Sequence, residues 1–122
     1  MVEFQRKDFY SYADFLEIMR LLRAPGGCPW DREQDHHSIR ASFIEETYEA
    51  VEAIDTDNTE LLKEELGDVL LQVVFHSRIE EEAGRFNFVD VADGIYKKMI
   101  VRHPHVFGDV TEENSADVLK NW

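Results

Sequence analysis

The stretch "LLKEELGDVLLQVVFHSRI", residues 61–79, decides how the chain reads. At about 100° per residue, Leu61, Leu62, Leu66, Val69, Leu70, Leu71, Val73, Val74, Phe75 and Ile79 surround a helix on nearly every side. A helix that is apolar all round is expected to be buried. Its polar residues Glu65, Asp68, Gln72 and His76 recur at helical spacing and stack into one narrow stripe between apolar flanks. Carboxylates buried without partners would take up protons, so a charged stripe inside a core implies cations, either side chains or metal.

The preceding segment, "SIRASFIEETYEAVEAI" at residues 38–54, reads as a second helix, with Ile39, Phe43, Thr47, Ala50, Val51 and Ile54 as its core face. Glu46 and Glu49 fall along one edge of that face, while Glu45 and Glu52 look towards solvent. Ordinary salt bridges are the plainer explanation of acids at helical spacing. These two helices, however, supply only Arg40, Lys63 and Arg78, none of them on the acidic stripe. Two carboxylates from each helix, Glu46 and Glu49 with Glu65 and Asp68, would form an oxygen cage for a hard cation. Mg²⁺ suits such ligands, with Mn²⁺ as a substitute.

Working outward, the chain shows helical periodicity nearly throughout, without a convincing alternating strand or an Asn-Gly or Asp-Gly hairpin signal. The expected fold is all-α, an antiparallel bundle of four to five helices. Ser11, with Asp14 three residues on, predicts an N-cap for a helix carrying Tyr12, Phe15, Ile18, Met19 and Leu22. That helix ends before Pro25-Gly26-Gly27, and Ala24 to Asp35 reads as one long loop. The segment "DTDNT" separates residues 38–54 from a helix over 59–82, which Gly84 stops, so the two form an antiparallel hairpin. Asn87 with Asp90 opens a fourth helix ending before Pro104, its core face Phe88, Val91, Ala92, Ile95 and Met99. Ser115 starts a short fifth helix through "ADVLKN".

The 122 residues suit one domain spanning 1–122, of a size that often completes an all-helical core by oligomerising. With 26 acids against 13 bases, the net charge of −13 argues against nucleic-acid polymers and anionic membranes as partners. A small anion can still bind if metal cations stand between. The single cysteine, Cys28, cannot form an internal disulfide, which favours a reducing compartment, the cytoplasm. The longest apolar run, around Val69 to Phe75, is far short of the ~20 residues that span a bilayer, so neither secretion nor an anchor is expected.

Glu45-Glu46-x-x-Glu49 followed by Glu65-x-x-Asp68 resembles the signature of the all-α nucleoside triphosphate pyrophosphohydrolases. The wider text, "GGCPWDREQ", "ELGDVLLQVVFHSRI", "RHPHVFGDV" and "VLKNW", is similar to the amino-terminal domain of the MazG family over about Tyr12 to Trp122. The resemblance implies hydrolysis of NTPs or dNTPs to the monophosphate and pyrophosphate, as nucleotide house-cleaning by a homodimer or higher homo-oligomer. It carries the metal ligands onto Glu46, Glu49, Glu65 and Asp68, with Glu46 or Glu49 accepting the proton of the attacking water. A domain that binds nucleotide or a protein partner without turnover is the rival expectation. A di-iron bundle would want Glu-x-x-His pairs on two helices, whereas the one such pair here, Glu33 and His36, lies in a loop.

Further candidates lie outside the acidic stripe. Lys98 at the edge and Arg102 within the core face of the fourth helix suggest phosphate ligands, against a plain preference for positive charge at a helix C-terminus. Trp30 is a candidate to stack on a nucleobase or to anchor its loop, and Asp31, Gln34 and His36 are candidates for base or ribose recognition. Family members more often carry Thr where this chain has Asp35. His103 and His105 around Pro104 suit a rigid turn better than a metal site. His76, ending the stripe, either orients a carboxylate or satisfies a core bond.

Overall fold

The computed structural model describes residues 1–109 and 115–120, and the chain divides into two compact units, Met1–Phe88 and Val89–Trp122. Among the described residues every regular element is a helix: α1 (Tyr12–Arg23), α2 (Pro29–Glu33), α3 (Arg40–Asp55), α4 (Thr59–Glu82), α5 (Phe88–Arg102), α6 (Pro104–Phe107) and α7 (Ser115–Leu119). The all-α expectation holds, but seven helical segments replace four to five. The additions are the single-turn pieces α2 and α6, each opening on a proline. Proline is pre-set for the first helical turn, where its missing N–H has no intrahelical partner to lose. Residues 24–35 are therefore a tight turn followed by a helical turn, not one open loop.

In the first unit, α1 begins at a capping box. The Ser11 hydroxyl accepts from the Asp14 backbone N–H at 3.2 Å, and the Asp14 carboxylate accepts from the Ser11 N–H at 2.8 Å. The turn after α1 needs its glycines. Gly26 sits at φ +86°, and a Cβ on Gly27 would collide with the Leu21 carbonyl and lie 2.7 Å from the Leu22 carbonyl oxygen. Met19, Ile39, Val74 and Phe75 form the buried core, with Phe15, Leu16, Leu71, Ile79 and Phe88 packed around it.

Helices α3 and α4 form the expected hairpin, joined through Asp57 at φ +52° and the Asn58 N-cap, whose side chain accepts from the Leu61 N–H at 3.1 Å. Gly84 at φ +74° follows the end of α4. The inward face of α3 is rotated from the expected one. Ile39, Ala50 and Ala53 are buried and Phe43 and Glu46 half-buried, while Thr47, Val51 and Ile54 are exposed. Ala50 and Ala53 mark the inward side of the helix, and Glu46, one turn before Ala50, lies on that side with them. Nor is α4 buried all round: its polar Glu65 and Gln72 are buried, while Leu66 and Leu70 face out.

Arg23 ties these pieces together. Its guanidinium donates to both carboxylate oxygens of Glu82 on α4, at 2.8 and 2.9 Å, and to the carbonyls of Asp31 at 2.6 Å and Gln34 at 3.0 Å. It also lies 5.5 Å over the Phe75 ring. Its side chain is 7% exposed. Arg23→Met is expected to destabilise the protein by about 2 kcal/mol, because it leaves the Asp31 and Gln34 carbonyls without their donor, while Glu82 keeps Arg78 as a partner. A fall in the urea midpoint with unchanged slope checks this.

Of the face expected on α5, Phe88 packs against the core of the first unit, but the residues that follow it in the second unit are mostly exposed. Val91, Ile95 and Met99 are exposed and Ala92 is half-buried. The His103 ring lies 2.6 Å from the Met99 carbonyl oxygen through Nδ1, and the His103 and His105 rings are 5.5 Å apart across Pro104, consistent with a turn. Val110, Asn121 and Trp122, from two of the quoted blocks, lie outside the described residues. No helix among the described residues is long and apolar enough to cross a membrane.

Candidate functional site

The α3–α4 hairpin brings one carboxylate oxygen each from Glu46, Glu49 and Glu65 within 4.8 Å of one another. The helix spacing explains the meeting: Glu46 and Glu49 share a flank of α3, and Glu65 projects from the buried side of α4. Glu65 is buried, Glu46 half-buried and Glu49 exposed, so the cluster grades from core to solvent. Asp68, one turn along α4 from Glu65, is half-buried and adds its charge to the potential at Glu46.

Salt bridges do not neutralise this cluster. Among the described residues the ion pairs engage Asp14, Glu17, Glu80, Glu81, Glu82 and Asp93, and none reaches Glu46, Glu49, Glu65 or Asp68. Arg78, one of the nearby cations by sequence, pairs with Glu81 and Glu82 instead. Oxygen Oε2 of both Glu46 and Glu65 is buried without a hydrogen-bond partner among the described residues. Burial, reinforced by the neighbouring carboxyls of Glu49 and Glu46, pushes Glu65 up to about 7. Burial and the Glu49 charge raise Glu46 as well.

Crowded, partly desolvated carboxylates with orphaned oxygens are the donor set of a hard cation. Without one, the cluster must hold a proton to relieve its own repulsion. The residues present therefore fit a divalent metal ion, with converging oxygens offered by Glu46, Glu49 and Glu65 and with Asp68 one turn further along α4.

The other expected residues occupy varied settings. Trp30 is exposed on α2, and the Gln34 side-chain amide donates to the Trp30 carbonyl at 2.8 Å, bracing that turn. Asp31 is half-buried, its carbonyl taken by Arg23. His36 spends both ring nitrogens inside the protein: Nδ1 lies 2.7 Å from His76 Nδ1, and Nε2 lies 2.7 Å from Glu80 Oε1. Lys98 is exposed and Arg102 half-buried, both on α5 in the second unit.

Glu80 was not singled out from the sequence, although it extends the stripe of Glu65, Asp68, Gln72 and His76 by one further turn. The Arg85 guanidinium holds it at 2.5 and 3.0 Å, and with His36 keeps its carboxyl down at about 2.

Comparison with known proteins places this geometry. Residues 34–107 match the MazG nucleotide pyrophosphohydrolase domain. Nucleoside triphosphate pyrophosphohydrolase/pyrophosphatase MazG of Thermotoga maritima is 54% identical over 98 residues, covering 80% of this chain and 38% of that protein. Nucleoside triphosphate pyrophosphohydrolase of Escherichia coli K12 is 48% identical over 108 residues, 88% of this chain and 41% of the relative. The uncharacterized protein YabN of Bacillus subtilis is 51% identical over 114 residues, 93% of this chain and 23% of YabN. The chain thus spans less than half the length of these curated relatives.

Proposed function

Because the chain belongs to the MazG nucleotide pyrophosphohydrolase domain family, we propose that it hydrolyses nucleoside triphosphates, ribo- or deoxyribo-, to the monophosphate and pyrophosphate. The observation that carries this reading is the Glu46, Glu49 and Glu65 cluster, which lacks a cationic partner among the described residues. A net charge of −13 would repel a triphosphate unless metal stood between them.

Glu46, Glu49, Glu65 and Asp68 would hold Mg²⁺, or Mn²⁺ in its place. When bound, the ion supplies charge neutralisation at the phosphate oxygens and Lewis-acid activation of water. Glu65, deepest of the set, anchors the site. Exposed Glu49 meets incoming substrate first, and Glu49 or Glu46 takes the proton of the water that attacks the α-phosphorus. Lys98 and Arg102 remain the candidates to bind phosphate, and Trp30, Asp31 and Gln34 the candidates to contact the nucleoside. His36 acts on that side through its hold on α4.

The reading includes a homodimer or larger homo-oligomer. Ile44, Tyr48, Val51 and Ile54 line one outward stripe of α3, and Leu66 and Leu70 face out from α4. Side chains of this kind are ordinary when scattered singly, but a whole helical stripe calls for a partner. A second copy of this chain would complete a four-helix bundle. The single cysteine suits a reducing, cytoplasmic setting.

Pyrophosphate release from a panel of NTPs and dNTPs, with and without Mg²⁺, tests the activity. Metal-dependent release is expected. Nucleotide binding with no release under any divalent ion would establish instead a silent nucleotide-binding module.

A further inference from the structure

Beyond the carboxylates, α4 carries two more buried polar atoms without a hydrogen-bond partner among the described residues: Gln72 Oε1 and His76 Nε2. They sit one helical turn apart, and the Gln72 residue is only 9% exposed. Buried polar atoms are rarely left unpaired, because each forfeits its hydration without compensation. Amide oxygen is an acceptor, but what His76 Nε2 offers depends on its proton.

That proton can be followed along a chain of contacts. Glu80, held by Arg85 at 2.5 and 3.0 Å, stays ionised and can only accept. His36 Nε2, 2.7 Å from Glu80 Oε1, must therefore be the N–H donor. In a neutral ring this leaves His36 Nδ1 as a lone pair. It faces His76 Nδ1 at 2.7 Å, so the His76 proton must sit on Nδ1. His76 Nε2 is then a lone pair too. Burial and the neighbouring His36 hold the His76 pKa below the ordinary histidine value, which favours the neutral ring. Stacking against Phe43 and His36, at 5.5 and 5.0 Å between ring centroids, fixes its plane.

Two buried acceptors on successive turns thus ask for hydrogen-bond donors. Along the α4 axis they stand about 6 and 12 Å from Asp68, a distance matched by the nucleoside half of a nucleotide whose phosphates lie at the carboxylates. We infer that Gln72 and His76 form a nucleoside-recognition subsite that accepts hydrogen bonds from base N–H or ribose O–H groups, its tautomer set by Arg85, Glu80 and His36. This rests on the nucleotide-hydrolase reading above and adds the contacts that select the nucleoside.

The test is equilibrium binding, with Mg²⁺ at mildly alkaline pH, of a non-hydrolysable nucleoside triphosphate analogue and of inorganic tripolyphosphate, which has no nucleoside. The proteins are the parent, Gln72→Leu and His76→Phe, the latter keeping an aromatic ring against Phe43. Each substitution is expected to weaken the nucleotide about tenfold, the scale of one lost hydrogen bond, and to leave tripolyphosphate unchanged. Repeating the series with the 2′,3′-dideoxy analogue separates the donors. A loss that vanishes assigns the ribose hydroxyls, and one that persists assigns the base. Equal weakening of both ligands, or none, would overturn the subsite while leaving the hydrolase reading standing. So would a parent that binds tripolyphosphate as tightly as nucleotide. A parent that binds neither ligand would overturn both.

Discussion

Glu65→Gln should melt at a higher temperature than the parent in metal-free buffer at neutral pH and should lose the parent's stabilisation by Mg²⁺. The parent's Glu65 carboxyl is raised from its ordinary value of 4.5 to about 7, first by burial and then by Glu49 and Glu46. An acid whose pKa is higher folded than unfolded binds its proton more tightly in the folded state. Its contribution to stability is therefore fully present below about pH 4.5 and is lost as pH rises through about 7. Glutamine keeps the shape and stays neutral, so the metal-free variant should not show this part of the decline. The same argument gives the metal response a pH dependence. Cation binding must displace the proton, so the Mg²⁺-induced rise in Tm of the parent should be larger above pH 7 than below it. A Tm that falls on Glu65→Gln, with the Mg²⁺ response intact, would show that the cluster is structural. Loss of activity should accompany loss of metal. Glu49→Ala and Asp68→Ala are each expected to lower pyrophosphate release by at least about a hundredfold. Because Glu49 is exposed, its substitution should leave the fold in place. Equal activity in these variants would remove the metal assignment.

Placing a charge on the outward stripe of α3 should have the second large effect. Tyr48 is 72% exposed within the chain, so Tyr48→Asp disturbs no packing inside one copy. Should that stripe be covered by a second copy, the carboxylate would be buried without a partner, at a cost of several kcal/mol. The parent is expected to sediment as a dimer or larger and Tyr48→Asp as a helical monomer with little pyrophosphohydrolase activity. A parent that sediments as a monomer at micromolar concentration would dispose of the homo-oligomer. A parent that associates, with a variant that associates equally, would place the interface elsewhere.

Much of this architecture was legible along the chain. The capping box at Ser11 and Asp14, the Thr59–Glu82 helix and the turns at Asp57–Asn58 and Gly84 are local features, set by backbone preferences within a few residues. The convergence of Glu46, Glu49 and Glu65 was also foreseeable, because helical spacing puts them on two faces that a hairpin must bring together. The rotation of α3 was less accessible. Ile39 and Ala50 are buried as the spacing suggested, but Val51 and Ile54, the more hydrophobic candidates, are exposed and Ala53 is buried instead. Likewise α4 reads as apolar all round, and nothing in that pattern says that Leu66 and Leu70 would be the side left outward.

His36 marks the boundary between the two kinds of information. Its position in a polar loop suggested a group free to touch ligand, but its ring nitrogens are engaged by His76 and Glu80, 40 and 44 residues further along. The long helices, the acidic spacing and the family are legible along the chain, because each depends on periodicity or on local order, whereas the single turns α2 and α6 are too short to show a period. Which acids lose their hydration, which histidine nitrogens are engaged and which apolar stripe remains outward come from the packing of the helices. Those properties depend on what lies opposite a side chain, and the opposite residue comes from a distant part of the chain.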